Sequence, residues 1–160
     1  MNFKKILPHI IAIVVFIVVS FVFFSPVLEG KKLFQSDMAQ FEGAAKELTD
    51  YEKLSGERSC WANSMFSGMP SYQIAFPQSN NIFDTISKPL TLWGFSFDAG
   101  IFFIMMLGFY IFMNVMGARP LISTFAALIY ALGSYNVIII SVGHITKAWA
   151  MAMIAPILAG

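Results

Sequence analysis

The stretch ILPHIIAIVVFIVVSFVFFSPVL, residues 6–28, decides the fold class of this chain. It contains no Asp, Glu, Lys or Arg. A helix rises about 1.5 Å per residue, so this run reaches about 34 Å and exceeds the roughly 30 Å hydrocarbon core of a bilayer. The run is also too long for the apolar region of a typical signal peptide, and it lacks an Ala-x-Ala-like cleavage site. We therefore predict an uncleaved transmembrane helix.

The composition of the 160-residue chain is that of a membrane protein. Hydrophobic residues make up 58% and charged residues 12%, whereas soluble domains carry roughly 25% charged residues. This balance excludes a water-exposed globule and intrinsic disorder. The net charge of +1 indicates no nucleic-acid partner. One Cys and two His form neither an internal disulfide nor a zinc cage, so no metal or cofactor is predicted.

Further apolar runs predict more spans after the first. Uncharged residues extend over 99–116 and 121–142, and another apolar run begins at 148. The last run is too short to cross a bilayer as a helix before residue 160. We therefore expect the chain to be the amino-terminal part of a longer, all-α polytopic membrane protein.

Basic residues near the ends of these runs predict the orientation. Lys4 and Lys5 precede the first run, and Arg119 separates the second from the third. All three lie on one side of the membrane, and the positive-inside rule makes that side cytoplasmic. The amino terminus is then cytoplasmic, and residues 29–98 form a long external loop.

The first half of the loop predicts an amphipathic helix that starts near Asp37. Asp37 and Gln40 have the spacing of a capping box. Apolar residues recur at helical spacing on one face, and charged residues occupy the others. The apolar face contains Met38, Phe41, Ala45 and Leu48, and the polar faces contain Glu42, Lys46, Glu47 and Asp50. Glu42 and Lys46 have the i,i+4 spacing of an ion pair.

The segment 60–77 is rich in aromatic residues and is punctuated by Gly and Pro. It is too irregular for a helix and too aromatic for a plain linker. Two interpretations stay open: a loop packed on the outer face of the helical bundle, or one wall of a substrate cavity. The candidate cavity residues are Trp61, Asn63, Phe66, Met69 and Tyr72.

Asp37 is the candidate general base, because it follows the first span closely and a carboxylate there can take a proton from an acceptor hydroxyl. The alternative is that Asp37 only caps the helix that it opens. His144 and Lys147 lie in a short turn before the last apolar run. There they suit a phosphate group at a helix start, or they form a solvated turn in which Lys147 extends to the interface.

Polar residues within the second and third runs predict hydrogen bonds between helices. They are Asn114, Ser123, Thr124, Ser134, Tyr135 and Asn136. The segment GSYN, residues 133–136, is also the one candidate break in the third span.

The motifs QSD at residues 35–37, WANSMFSGMPSY at 61–72 and GHITKA at 143–148 occur in this order. Together they resemble YfhO-type bacterial membrane proteins, and the resemblance extends over essentially the whole chain. It implies a helical bundle of the GT-C glycosyltransferase type in the bacterial cytoplasmic membrane. The implied activity moves a sugar from a polyprenyl-phosphate donor to a cell-envelope acceptor on the external face.

The resemblance places a catalytic acid just after the first span, where Asp37 stands. It favours His144 and Lys147 as ligands of the donor phosphate and the aromatic segment as a cavity wall. Many GT-C enzymes carry a close acidic pair there, whereas the next acid here is Glu42, so metal dependence stays open. A transporter or flippase of lipid-linked intermediates is the alternative function, and a non-catalytic scaffold is a third.

Overall fold

The computed structural model describes residues 3–75, 86, 89, 91, 92 and 97–160. The helices, in chain order, are α1 Phe3–Phe23, α2 Ser36–Ser55, α3 Phe97–Val115, α4 Pro120–Ala131, α5 Ser134–Val142 and α6 Ile145–Ala159. The strands are β1 Trp61–Ala62 and β2 Met69–Pro70. The chain divides into an apolar unit, Met1–Leu33 with Ile82–Gly160, and a polar unit, Phe34–Asn81.

Among the described residues of the apolar unit, two helices are long and apolar enough to cross a membrane, α1 and α3. They coincide with the first two predicted spans within a few residues. Helix α1 ends at Phe23, and a 3₁₀ segment over Ser25–Glu29 carries the rest of the predicted first run. The described chain is therefore mostly helical with candidate membrane spans, as the uncharged runs predict.

The predicted span 121–142 is not one continuous helix. Helices α4 and α5 are together long and apolar enough to cross a membrane, but their axes are bent by 48° relative to each other. The bend occurs where Gly133 leaves the helical conformation and becomes the N-cap of α5. The candidate break at residues 133–136 is thus confirmed. Helix α6 follows as a shorter apolar helix.

Helix α3 is the centre of the apolar unit and packs against α1, α4 and α6. Ile101, Phe102, Met105 and Met106 are fully buried, so the density of Phe and Met in this helix is packing surface. Backbones approach closely where α3 meets α6. A Cβ at Gly108 would lie 2.7 Å from the Pro156 Cγ and 3.1 Å from the Ala152 carbonyl oxygen.

Three of the six polar residues predicted to bond between helices bond within their own helix instead, whereas the Asn136 amide of α5 donates to the Tyr130 carbonyl of α4, as predicted. The side chains of Asn114, Ser123 and Thr124 each donate to the carbonyl four residues earlier. A carbonyl one turn back is always within reach of a short polar side chain, which explains the difference. A bond between α1 and α3 comes from His9, whose Nδ1 lies 2.7 Å from the Tyr110 hydroxyl.

The polar unit is helix α2 with a small hairpin packed on it. Strands β1 and β2 are antiparallel, and Trp61 pairs with Pro70 while Ala62 pairs with Met69. The buried residues of this unit come from both elements and from the segment after β2: Ala45, Leu48, Ala62 and Ile74. Residues of the aromatic segment 60–77 therefore pack on the apolar face of α2. The sequence pattern did not predict the hairpin.

Candidate functional site

The N-cap of helix α2 lies two residues before the position predicted from the capping pattern. Its N-cap is Gln35, and Asp37 lies in the first turn. Asp37 is therefore not the N-cap, and Asp37 with Gln40 does not form a capping box. An acid in the first turn is still favourable, because the helix dipole is positive at that end. Asp37 is half-buried.

Asp37 shares its side of α2 with a row of apolar residues, in which Ala45 and Leu48 are buried and Phe41 is exposed. Phe41 and Ala45 follow it at intervals of four, and Leu48 continues the row. Residues three and four apart lie one above the other on a helix. One face of α2 therefore has a carboxylate at its start and an apolar surface along its length.

A pocket of about 640 Å³ lies against this face. Its walls come from α2, from the connection to β1 and from the segment after β2. The lining residues are Phe41, Ala45, Leu48, Thr49, Glu52, Arg58, Ser59, Cys60, Ser71, Tyr72 and Ala75. The Arg58 Nε donates to the Glu52 carboxylate at 2.8 Å, so the pocket combines an apolar wall with an ion pair.

The structure brings only one of the predicted cavity residues to this pocket, Tyr72, which is 62% exposed. Trp61 covers Gly68, where a Cβ would lie 2.7 Å from its Nε1. Met69 is partly buried against the apolar residues that α2 and the hairpin share. Phe66 extends from the hairpin tip and is 85% exposed. Phe76 and Pro77, the end of the aromatic segment, lie outside the described residues.

Asn63, another predicted cavity residue, instead attaches the hairpin to α2 through Glu47. The backbone N–H groups of Asn63 and Ser64 donate to the Glu47 carboxylate at 3.1 and 2.7 Å, and the Asn63 amide donates at 3.3 Å. Hydrogen bonds from the Ser64 side chain and from these two N–H groups lower the pKa of Glu47. The helical pattern predicted a solvent-exposed Glu47. It could not show these hydrogen bonds, because the partners lie 16 and 17 residues away in the sequence.

Substitution Glu47→Gln is expected to loosen the hairpin. Because the pKa of the Glu47 carboxyl is lowered in the folded protein, its hydrogen bonds contribute fully to stability at pH values above 4.5, the ordinary pKa of this group. That contribution is lost as the pH falls through the lowered pKa of the folded state. Hydrogen exchange of the Asn63 and Ser64 amides at pH 6 is expected to be several-fold faster in the variant.

The matched control is Asp50→Asn on the same helix. Asp50 accepts a hydrogen bond from Lys46 at 2.6 Å, so Lys46 pairs with Asp50 and not with Glu42 as its spacing suggested. This exposed pair does not contact the hairpin amides, and their exchange is expected to stay at the wild-type rate. Equal exchange rates in wild type and Glu47→Gln would refute the role of Glu47.

His144 and Lys147 lie at the start of α6, within the apolar unit. Gly143 ends α5 in a left-handed conformation, and exposed His144 is the N-cap of α6. The Lys147 Nζ lies 5.0 Å from the centre of the Tyr135 ring, a cation–π distance. Lys147 is thus an exposed cation held at an aromatic ring one turn into a helix.

Within the described parts of the chain, no group of three His, Cys, Asp or Glu side chains is arranged to hold a metal ion. No protein-family model matches the chain, and comparisons with curated proteins and with solved structures find no match either. The helices of the described residues by themselves show a mostly helical chain with candidate membrane spans. The polar unit adds a pocket, and the resemblance to YfhO-type proteins stays a prediction.

Proposed function

We propose that this chain belongs to a YfhO-type, GT-C-like glycosyltransferase of the bacterial cytoplasmic membrane. The enzyme transfers a sugar from a polyprenyl-phosphate donor to a cell-envelope acceptor on the external face. One observation supports this function above the others. Asp37 shares the face of α2 that lines the pocket, one helical turn before Phe41.

The position of Asp37 suits a general base for an acceptor bound in the pocket. Four residues of helix correspond to about 6 Å, so the carboxylate is one turn from the pocket wall. Asp37 takes the proton of the acceptor hydroxyl, and the hydroxyl oxygen bonds to the anomeric carbon. The bond from that carbon to the phosphate oxygen breaks, and its electron pair leaves with the polyprenyl phosphate.

The remaining pocket residues suit the recognition of a sugar or a lipid. Tyr72 offers an aromatic ring on which an apolar sugar face can stack, and Phe41 and Leu48 provide apolar surface. The ion pair of Glu52 and Arg58 supplies charged hydrogen-bonding groups at the same wall. For the donor phosphate, the resemblance favours His144 and Lys147 at the start of α6, where a helix N-terminus suits an anion.

The test is loss of label from a radiolabelled polyprenyl-phosphate sugar in membrane vesicles that contain the intact protein. Wild type is expected to remove the label, and Asp37→Asn is expected to slow the transfer by about 10²- to 10⁴-fold, the usual contribution of a general base. Exposed Glu42 is the next acid on α2, and Glu42→Gln is expected to retain the wild-type rate. Equal rates in wild type and Asp37→Asn at matched expression would remove Asp37 from the mechanism.

A second candidate function is a transporter or flippase of lipid-linked envelope intermediates. The 48° bend between α4 and α5 favours it, because transporters often bind their cargo at broken membrane helices. The same vesicles separate the two functions. Label that crosses the bilayer while it stays on the lipid identifies transport, and label that leaves the lipid identifies transfer.

A further inference from the structure

We propose that the tip of the β1–β2 hairpin inserts Phe66 into the headgroup region of a lipid bilayer. The tip is the tight turn of residues 65–68, in which the Gly68 N–H donates to the Met65 carbonyl at 2.8 Å. Phe66 is 85% exposed, so its ring lies almost entirely outside the packing of the polar unit. This surface belongs to the polar unit alone, and the proposal does not depend on the proposed sugar transfer.

The backbone of the tip holds Phe66 in an unfavourable conformation. Phe66 has a φ of 49° and Ser67 a φ of 60°, so both lie in the left-handed region. Hairpin turns with two such residues favour Asn-Gly, whereas a bulky side chain rarely adopts this conformation. Strain of this kind occurs mainly where a side chain has a function. Because the exposed Phe66 ring adds little to packing within the unit, we expect its contact to lie outside the unit.

Contacts on both sides of the turn hold it in place. The Glu47 carboxylate accepts hydrogen bonds from the N–H groups of Asn63 and Ser64 at 3.1 and 2.7 Å. On the other side of the turn, the Trp61 ring lies against Gly68. The N–H groups of Asn63, Ser64 and Gly68 are thus already bonded, which lowers the cost of bringing this backbone close to lipid. The Glu47 carboxylate limits the depth of insertion, because a charged group stays in water.

The residue types around the tip favour a bilayer over a protein partner. Residues 59–83 contain no Asp, Glu, Lys or Arg, so no charge in this part of the sequence opposes contact with lipid. Trp61 adds a second ring that is 50% exposed, and aromatic side chains are enriched at membrane–water interfaces. The same chain has, among its described residues, two helices that are long and apolar enough to cross a membrane. A bilayer is therefore a surface that the hairpin can meet without a separate encounter.

The test measures how deep a spin label at position 66 lies when the intact protein is reconstituted in lipid vesicles. Cys60 is the one cysteine of the chain, so Cys60→Ser gives a background in which Phe66→Cys carries the label. Molecular oxygen concentrates in lipid, and a water-soluble nickel chelate stays outside it. The label at position 66 is expected to collide with oxygen more often, and with the chelate several-fold less often, than a label in water.

The matched control is Leu54→Cys in the same background. Leu54 is 90% exposed and also apolar, but Glu52 and Lys53 precede it in α2. Its label is expected to meet the chelate freely. Equal access of both reagents at positions 54 and 66 would mean that the tip lies in water. Low access of both reagents at position 66 would mean that a second protein or another copy of this chain covers it, and either result would overturn the proposal.

A second variant keeps the test decisive if the labelled chain does not reconstitute. Phe66→Trp preserves an aromatic side chain at the tip. Lipids that are brominated near their headgroup end quench the fluorescence of an indole ring that they contact. The emission added by Phe66→Trp relative to wild type is expected to be quenched several-fold more strongly than the emission added by Leu54→Trp. Equal quenching of the two would also overturn the proposal.

Discussion

Substitution of Gly108 by Ala is expected to destabilise the apolar unit by about 1–3 kcal/mol, the usual cost of overpacking a core. The new Cβ would lie 2.7 and 2.8 Å from the Cγ and Cδ of Pro156, closer than real Cβ atoms come. The Pro156 ring is rigid and sits within α6, so the helices must separate. Because α3 is buried on most sides, a shift at this contact is transmitted to its other neighbours. Thermal unfolding in detergent measures the loss.

Gly43→Ala is the matched control for Gly108→Ala. Gly43 also lies within a helix, but among the described residues outside its own helix backbone no atom lies within 4 Å of the position of its Cβ. Ala is the better helix former by about 1 kcal/mol, so this variant is expected to be slightly more stable than wild type. A Gly108→Ala variant as stable as Gly43→Ala would contradict the close approach of α3 and α6.

Gly68→Ala is expected to destabilise the polar unit by about 2–5 kcal/mol, because two effects combine. Gly68 has a φ of 116°, which side chains rarely adopt. The new Cβ would also lie 2.7 Å from the Trp61 Nε1 and 2.9 Å from its Cζ2. The hairpin must open or Trp61 must leave its position. Exchange of the Ser71 amide, which donates to the Cys60 carbonyl at 2.9 Å beside the strands, reports the opening.

Gly56→Ala separates the two effects. Gly56 has a φ of 73° in the same unit, and apart from its chain neighbours no described residue has an atom within 4 Å of its Cβ position. Backbone strain alone is expected to cost about 1–2 kcal/mol there. If the two substitutions destabilise the unit equally, contact with Trp61 adds nothing, and the close approach of Trp61 to Gly68 does not explain the cost of Gly68→Ala.

The candidate site was only partly predictable. Asp37 could be singled out because a carboxylate soon after an apolar run is visible in the linear order of residues. The pocket on its helix face could not, because Glu52, Arg58 and Tyr72 meet only when the hairpin folds back on α2. Glu47 shows the same difficulty. Its partners lie beyond any helical spacing, so the pattern of α2 alone assigned it to solvent.

The candidate membrane helices and the amphipathic helix could be located from the sequence alone. Long runs without charge have no stable alternative to burial in lipid or protein, so α1 and α3 could be located from composition alone. The apolar row through Ala45 and Leu48 likewise predicted a buried face.

Which segments pack against these helix faces is visible only in the folded structure. The hairpin on α2 and the approach of Gly108 to Pro156 both depend on atoms from distant segments. Hydrophobic burial is non-directional and sets which residues leave water. Hydrogen bonds and close packing are directional and short-ranged, so their partners are defined only once the chain has folded.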